Sequence, residues 1–136
     1  EMLRSLVGSE MCIRDRGIPE TIFRGTLDNV TEEGMRRFNR RMCGKRDILQ
    51  AYEQIPPRLL ADIREELEYL YAEIKKASPA SALFNGWTQA LISSDDRIFP
   101  TENLRAFWQG RCPITEIEAP HYPFYLWKQW NEIWKQ

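Results

Sequence analysis

Between residues 87 and 134 two short apolar runs alternate with two helical patterns, and that order leaves the chain few folds to choose from. Trp87 to Ile92 has strand length and ends in the polar cluster Ser93, Ser94, Asp95 and Asp96. Thr101 to Gln109 follows as a helix, with Leu104, Phe107 and Trp108 on one side and Gly110 near its end. Pro113 to Glu118 is the second strand candidate. Phe124 to Trp134 is expected to be the last helix, with Leu126, Trp130, Ile133 and Trp134 at i, i+4, i+7 and i+8. Strand, helix, strand, helix is the order of a parallel α/β sheet, whose crossovers are right-handed. In such sheets functional groups collect past the C-terminal ends of the strands. Asp95-Asp96 and His121 lie just past those ends. Adjacent parallel strands would bring Asp96 and His121 out on one edge, within roughly 10 Å of each other.

Upstream the pattern is helical. Gly17 to Leu27 (GIPETIFRGTL) carries Gly, Pro and β-branched residues and reads as an extended connector. Thr31 offers a helix N-cap, Glu32 and Glu33 suit the first turn, Met35, Phe38 and Met42 form an apolar stripe, and Gly44 supplies the stop. A brief helix over about Arg46 to Gln54 breaks at Pro56-Pro57. Pro57 can open the longest helix, whose stripe is Leu60, Ile63, Leu67, Leu70 and Ile74, with Lys75 and Lys76 at its end. Residues 1–16, EMLRSLVGSEMCIRDR, look like translated sequencing-adapter read-through and are set aside as a non-native scar. Their apolar run is too short for a signal peptide or a membrane span.

Composition narrows function. Nineteen basic against twenty acidic residues give a net charge of −1, so no overall field exists to hold nucleic acid or an anionic membrane, and neither is expected as a partner. Cys12, Cys43 and Cys112 are odd in number, far apart and without CxxC spacing, which points to a reducing, cytoplasmic home. Cys43 and Cys112 read as inert buried thiols. With His121 as the single histidine, the usual structural zinc sets are not available and imidazole chemistry has one owner.

An Asp and a His delivered to one sheet edge are two members of a hydrolytic triad. The carboxylate orients the imidazole through Nδ1–H, and Nε2 takes a nucleophile's proton. One hydrolase chain order is nucleophile, Asp, His. No G-x-S-x-G occurs, and Ser78, Ser81, Ser93 and Ser94 do not sit on a strand-to-helix elbow, so the nucleophile is expected upstream of Gly17.

Asp96-Arg97-Ile98-Phe99-Pro100 resembles the D-x-[I/L]-x-P turn that bears the acid of α/β-hydrolases, and His121-Tyr122-Pro123-Phe124 resembles their H-x-P-F histidine turn. Through GIPETIFRGTLDN, RRMCG, FWQGRC and HYPFYLWKQW, residues 17–136 resemble the C-terminal part of BioG-type pimeloyl-[acyl-carrier protein] methyl ester esterases. The resemblance implies an α/β fold, the C-terminal part of an α/β-hydrolase with its N-terminal half missing. Residues 17–79 would be connector and helical lid, and 80–136 the core with the last two strand-helix units. It also implies cleavage of the methyl ester of pimeloyl-[acyl-carrier protein] in biotin synthesis, with Asp96 as triad acid, His121 as base and Asp95 as the alternative acid. No metal or organic cofactor is implied. The family's serine, elbow and oxyanion donors are absent from these 136 residues, which are therefore expected to be inactive alone.

Two further features stand out in the sequence. Trp87, Trp108, Trp127, Trp130 and Trp134 are expected in core packing. Arg36, Arg37, Arg40 and Arg41 fall opposite the Met35, Phe38, Met42 stripe and are either a solvated face or a dock for an acidic carrier protein. The rivals to an esterase are a helical adaptor that binds an acidic protein and a non-catalytic α/β-hydrolase relative.

Overall fold

The computed structural model describes residues 18–76 and 86–135. Residues 1–16 lie outside that range. Four helices come first: α1 (Glu20–Asp28), α2 (Glu32–Cys43), α3 (Arg46–Tyr52) and α4 (Leu60–Lys76). They are followed by β1 (Ala90–Ser93), α5 (Thr101–Trp108), β2 (Ile114–Ile117) and two 3₁₀ turns, Phe124–Leu126 and Trp130–Lys135.

The extended connector is not found; most of that stretch is α1. Its β-branched residues disfavour a helix in isolation, but tertiary burial outweighs propensity. Phe23 is buried and stacks on Tyr71 of α4 at 5.9 Å. Thr26 donates its hydroxyl to the Ile22 carbonyl within the helix, and Asn29, just past its end, donates its amide to the Gly25 carbonyl and satisfies one of the terminal carbonyls. Helix α2 follows the sequence closely. Thr31 Oγ1 accepts the Gly34 N–H at 3.0 Å, and Gly44 ends the helix at φ 69°.

Helix α4 starts at Leu60, three residues past the expected Pro57. Pro57 biases Pro56 toward extended backbone, and Arg58 lies back along the helix to pair with Glu66 at 2.8 Å. Leu60, Ile63, Leu67 and Leu70 are half-buried as the stripe requires, while the Ile74 side chain lies outside the described ones.

The two strands pair in parallel, Ala90 opposite Ile114 and Ser93 opposite Ile117. Strand β1 is almost wholly buried, as a parallel strand covered on both faces should be, and Ile92 is its most enclosed side chain. Leu104 and Phe107 bring α5 onto it. One cluster, Ile18, Phe23, Ile92, Phe99, Leu104 and Phe107, joins the helical and sheet parts, with Leu67, Leu70 and Tyr71 packed against it.

The last helix also differs from expectation. Pro123 precedes a single 3₁₀ turn, Trp127 is extended at φ −126° and ψ 142°, and the Glu132 carboxylate accepts the Lys128 N–H at 2.9 Å, so the second turn starts afresh. A run crowded with aromatic rings has little intrinsic helicity to resist that break. As a result Trp130 is 55% exposed; Trp87, ahead of β1, is exposed as well, and both depart from the expectation that all the tryptophans sit in the core. Trp108 is half-buried and meets Trp87 edge-on at 5.5 Å. The Trp134 side chain lies outside the described ones.

Candidate active site

The parallel pairing runs on past both strands. Ser94 N–H donates to the Ile117 carbonyl at 2.9 Å and Asp95 N–H to the Ala119 carbonyl at 3.1 Å, so the two strand ends leave the sheet side by side. Asp96 follows on one side and His121 on the other. His121 Nδ1 lies 2.8 Å from Asp96 Oδ2. Asp96 Oδ1 accepts two backbone N–H groups, from Ile98 and Phe99, both at 2.8 Å. These two bonds fix the plane of the carboxylate and leave Oδ2 to the imidazole Nδ1. The Asp96 side chain is 6% exposed and that of His121 25%, so the carboxylate is enclosed and the imidazole can be reached. Phe99 is buried and its ring stacks on the imidazole at 5.5 Å with 18° between planes. Asp95 is exposed and pairs with Arg97 at 3.5 Å. Of the two adjacent acids, the geometry joins Asp96 to the histidine.

The helical part touches the same turn. Tyr122 N–H donates to the Met42 carbonyl at the end of α2 at 3.1 Å, and the Tyr122 ring meets Tyr52 edge-on at 5.1 Å. Cys43 is fully buried there, and burial, helped by Glu53, pushes its thiol up to about 11. Burial also raises the Tyr52 and Tyr122 phenols. Cys112 is half-buried, with its thiol raised by desolvation. Neither thiol is primed as a nucleophile.

Arg36, Arg37, Arg40 and Arg41 are all exposed on α2. Glu33 reaches Arg36 at 3.6 Å and Arg37 at 3.7 Å, and the Arg41 guanidinium lies 6.0 Å from the Phe38 ring centre. Arg37, Arg40 and Arg41 line an open groove of about 620 Å³ between α1 and α2, with Ile22 and Phe38 among its apolar walls. Its lining includes neither Asp96 nor His121. Among the described residues no group of three or more His, Cys, Asp or Glu side chains is placed to hold a metal ion, and no helix is long and apolar enough to cross a membrane.

The family model described as BioG, pimeloyl-ACP methyl esterase, matches residues 5–133. The chain belongs to the BioG family. A crystal structure of selenomethionine BioG from Haemophilus influenzae superposes with a TM-score of 0.83 at 36% identity, over 92% of this chain and 57% of that one. An uncharacterized protein of Haemophilus influenzae is 37% identical over 123 residues, covering 90% of this chain and 56% of the relative. A malonyl-[acyl-carrier protein] O-methyltransferase of Bacteroides fragilis is 37% identical over 109 residues, covering 79% of this chain and 22% of the relative. The chain thus spans little more than half of the Haemophilus protein and under a quarter of the methyltransferase.

In this BioG-family chain several neighbours of the dyad are not evident from sequence. Phe99 stands within the DRIFP text, yet nothing in a one-dimensional pattern says its ring will lie on an imidazole. Asp96 accepts the N–H groups two and three residues on, just ahead of a helix, an Asx-type turn that is a local signal beside the motif that already selected it over Asp95. Tyr52 and the Met42 carbonyl come from the helical region and carry no motif.

Proposed function

We propose that this chain supplies the acid and base of a serine carboxylesterase that hydrolyses the methyl ester of pimeloyl-[acyl-carrier protein] in cytoplasmic biotin synthesis. What carries the reading is the 2.8 Å contact between His121 Nδ1 and Asp96 Oδ2 at the C-terminal edge of a parallel strand pair. The family description supports the esterase class, and the Bacteroides relative is named for an acyl-carrier substrate. Asp96 holds His121 with Nδ1–H inward. Nε2 then accepts the proton of a serine hydroxyl as its oxygen attacks the ester carbonyl, and returns that proton to the departing methanol. Water repeats the sequence on the acyl-enzyme and leaves a free carboxylate.

Within this reading the fold is the C-terminal part of an α/β-hydrolase, with the helical part as lid and the serine upstream of Gly17. No metal or organic cofactor takes part. Arg36, Arg37, Arg40 and Arg41 dock the acidic carrier protein. The test is hydrolysis of pimeloyl methyl ester on its carrier by these 136 residues and by a longer form that carries a strand, a serine elbow and a helix ahead of Gly17. The longer form alone is expected to turn over and to lose activity with His121→Ala. Activity of the longer form that survives His121→Ala would remove the base from His121.

A further inference from the structure

The turn that bears His121 is irregular backbone, with no strand ladder to fix it beyond Ala119. On the side of the reacting groups, the imidazole meets Asp96 and Phe99. On the other side, the turn is gripped by the corner between α2 and α3. The Met42 carbonyl holds the N–H of Tyr122, the residue next to the histidine, at 3.1 Å. Tyr52, the last residue of α3, sets its ring edge-on to Tyr122 at 5.1 Å, and Tyr122 in turn meets Phe124 at 5.4 Å. The corner sits close. Gly44 has φ 69°, a Cβ placed on it would come within 3.1 Å of the Pro120 Cβ, and Pro120 is itself among the most enclosed side chains. Lys45 N–H closes onto the Cys43 carbonyl at 2.7 Å, which makes the corner a tight turn.

We infer that Tyr52 and Tyr122 are positioning residues, a ring pair that latches the α2–α3 corner to the histidine turn and keeps His121 Nδ1 directed at Asp96. The inference rests on the acid–base reading of Asp96 and His121. Its physical basis is that imidazole direction follows the backbone of residues 120–122, and that a displacement of about 1 Å at a reacting group can lower a rate about a hundredfold. Neither tyrosine needs to touch substrate. Each acts through the backbone that carries the base, and the contact between them is made by the rings.

His121 is the only histidine of the chain, so imidazole ¹⁵N spectra report on it without overlap. In the 136-residue protein one tautomer is expected, with the proton on Nδ1. Tyr52→Phe keeps the ring and should leave that spectrum unchanged. Tyr52→Ala should introduce the Nε2–H form and speed exchange of the Nδ1 proton, while the amide spectrum elsewhere stays folded. Tyr52→Leu fills similar space without a ring and should behave as Tyr52→Ala does, which covers the case in which the alanine variant fails to fold. A folded Tyr52→Ala or Tyr52→Leu with unchanged His121 signals overturns the latch, and failure of both to fold assigns Tyr52 a merely structural role. Asp96→Asn separates the two readings. If it leaves the imidazole signals unmoved, the dyad itself is wrong; if it moves them and the Tyr52 variants do not, only the latch is.

Discussion

At the scale of single residues the site is decided by which oxygen faces which nitrogen. Asp96 spends Oδ1 on two backbone N–H groups and Oδ2 on His121, whereas the neighbouring Asp95 turns outward to Arg97. In an active longer form Asp96→Asn should lower turnover by about 10⁴, because the amide favours the wrong imidazole tautomer. Asp95→Asn should change turnover little, since an exposed ion pair carries small energies. Steady-state kinetics of the two variants side by side check this, and equal damage would place the acid wrongly. Phe99 has a double role as core residue and imidazole neighbour. Phe99→Ala should cost about 3–5 kcal/mol of stability by opening a cavity in the shared core, measurable by denaturant unfolding of the chain. The meeting of Asp96 and His121 could be read from sequence, because the chain order of strands places them together without any knowledge of side-chain packing. The ring on the imidazole could not, since Phe99 is set there by the turn that Asp96 caps.

Elements fared according to what holds them. Helix α2 carries its own instructions, a Thr31 cap, an apolar stripe and Gly44, and its observed bounds agree with the reading. The strands were legible as short apolar runs between turn signals, and α5 from Leu104, Phe107 and Trp108 on one side with Gly110 near its end. Helix α1 and the C-terminal 3₁₀ turns were not. The first exists because Phe23 has α4 to pack on, and the second because Glu132 and an extended Trp127 interrupt a pattern that looks periodic. Packing of the α2–α3 corner sets an alkaline limit. Burial lifts the Cys43 thiol from 9.0 to about 11 and raises Tyr52 and Tyr122 as well. Between about pH 9 and 11 the unfolded chain therefore binds fewer protons than the folded one, so stability falls as pH rises through that window. Cys43→Ala should flatten the fall, and melting temperatures of both proteins across that range check it. A parallel decline in the two would show that the buried thiol contributes nothing. Gly44→Ala should destabilise the same corner, since L side chains rarely adopt φ 69° and the new methyl meets Pro120 at 3.1 Å.

Over the whole molecule the charges nearly cancel, yet α2 gathers Arg36, Arg37, Arg40 and Arg41 on one exposed face beside the groove walled by Ile22 and Phe38. Among the described residues Glu33 is drawn into the patch, at 3.6 and 3.7 Å from two of the arginines, and one carboxylate against four guanidinium groups leaves the face a positive excess. If this face receives an acidic carrier protein, the interaction has a signature that a merely solvated face lacks. Exposed charges are screened over about 8 to 10 Å near physiological ionic strength, so added salt should weaken carrier binding steeply. Arg37→Glu with Arg41→Glu, one turn apart on α2, should abolish most of that binding and most of its salt dependence together. His121 should be untouched, because the groove does not include it, and its imidazole spectrum serves as the control for folding. Titration of labelled acyl carrier protein into the 136-residue chain and into the double variant, at low and at high salt, measures all four affinities. A wild-type affinity that ignores salt, or a variant that binds as well as wild type, would leave the arginines as a solvated face.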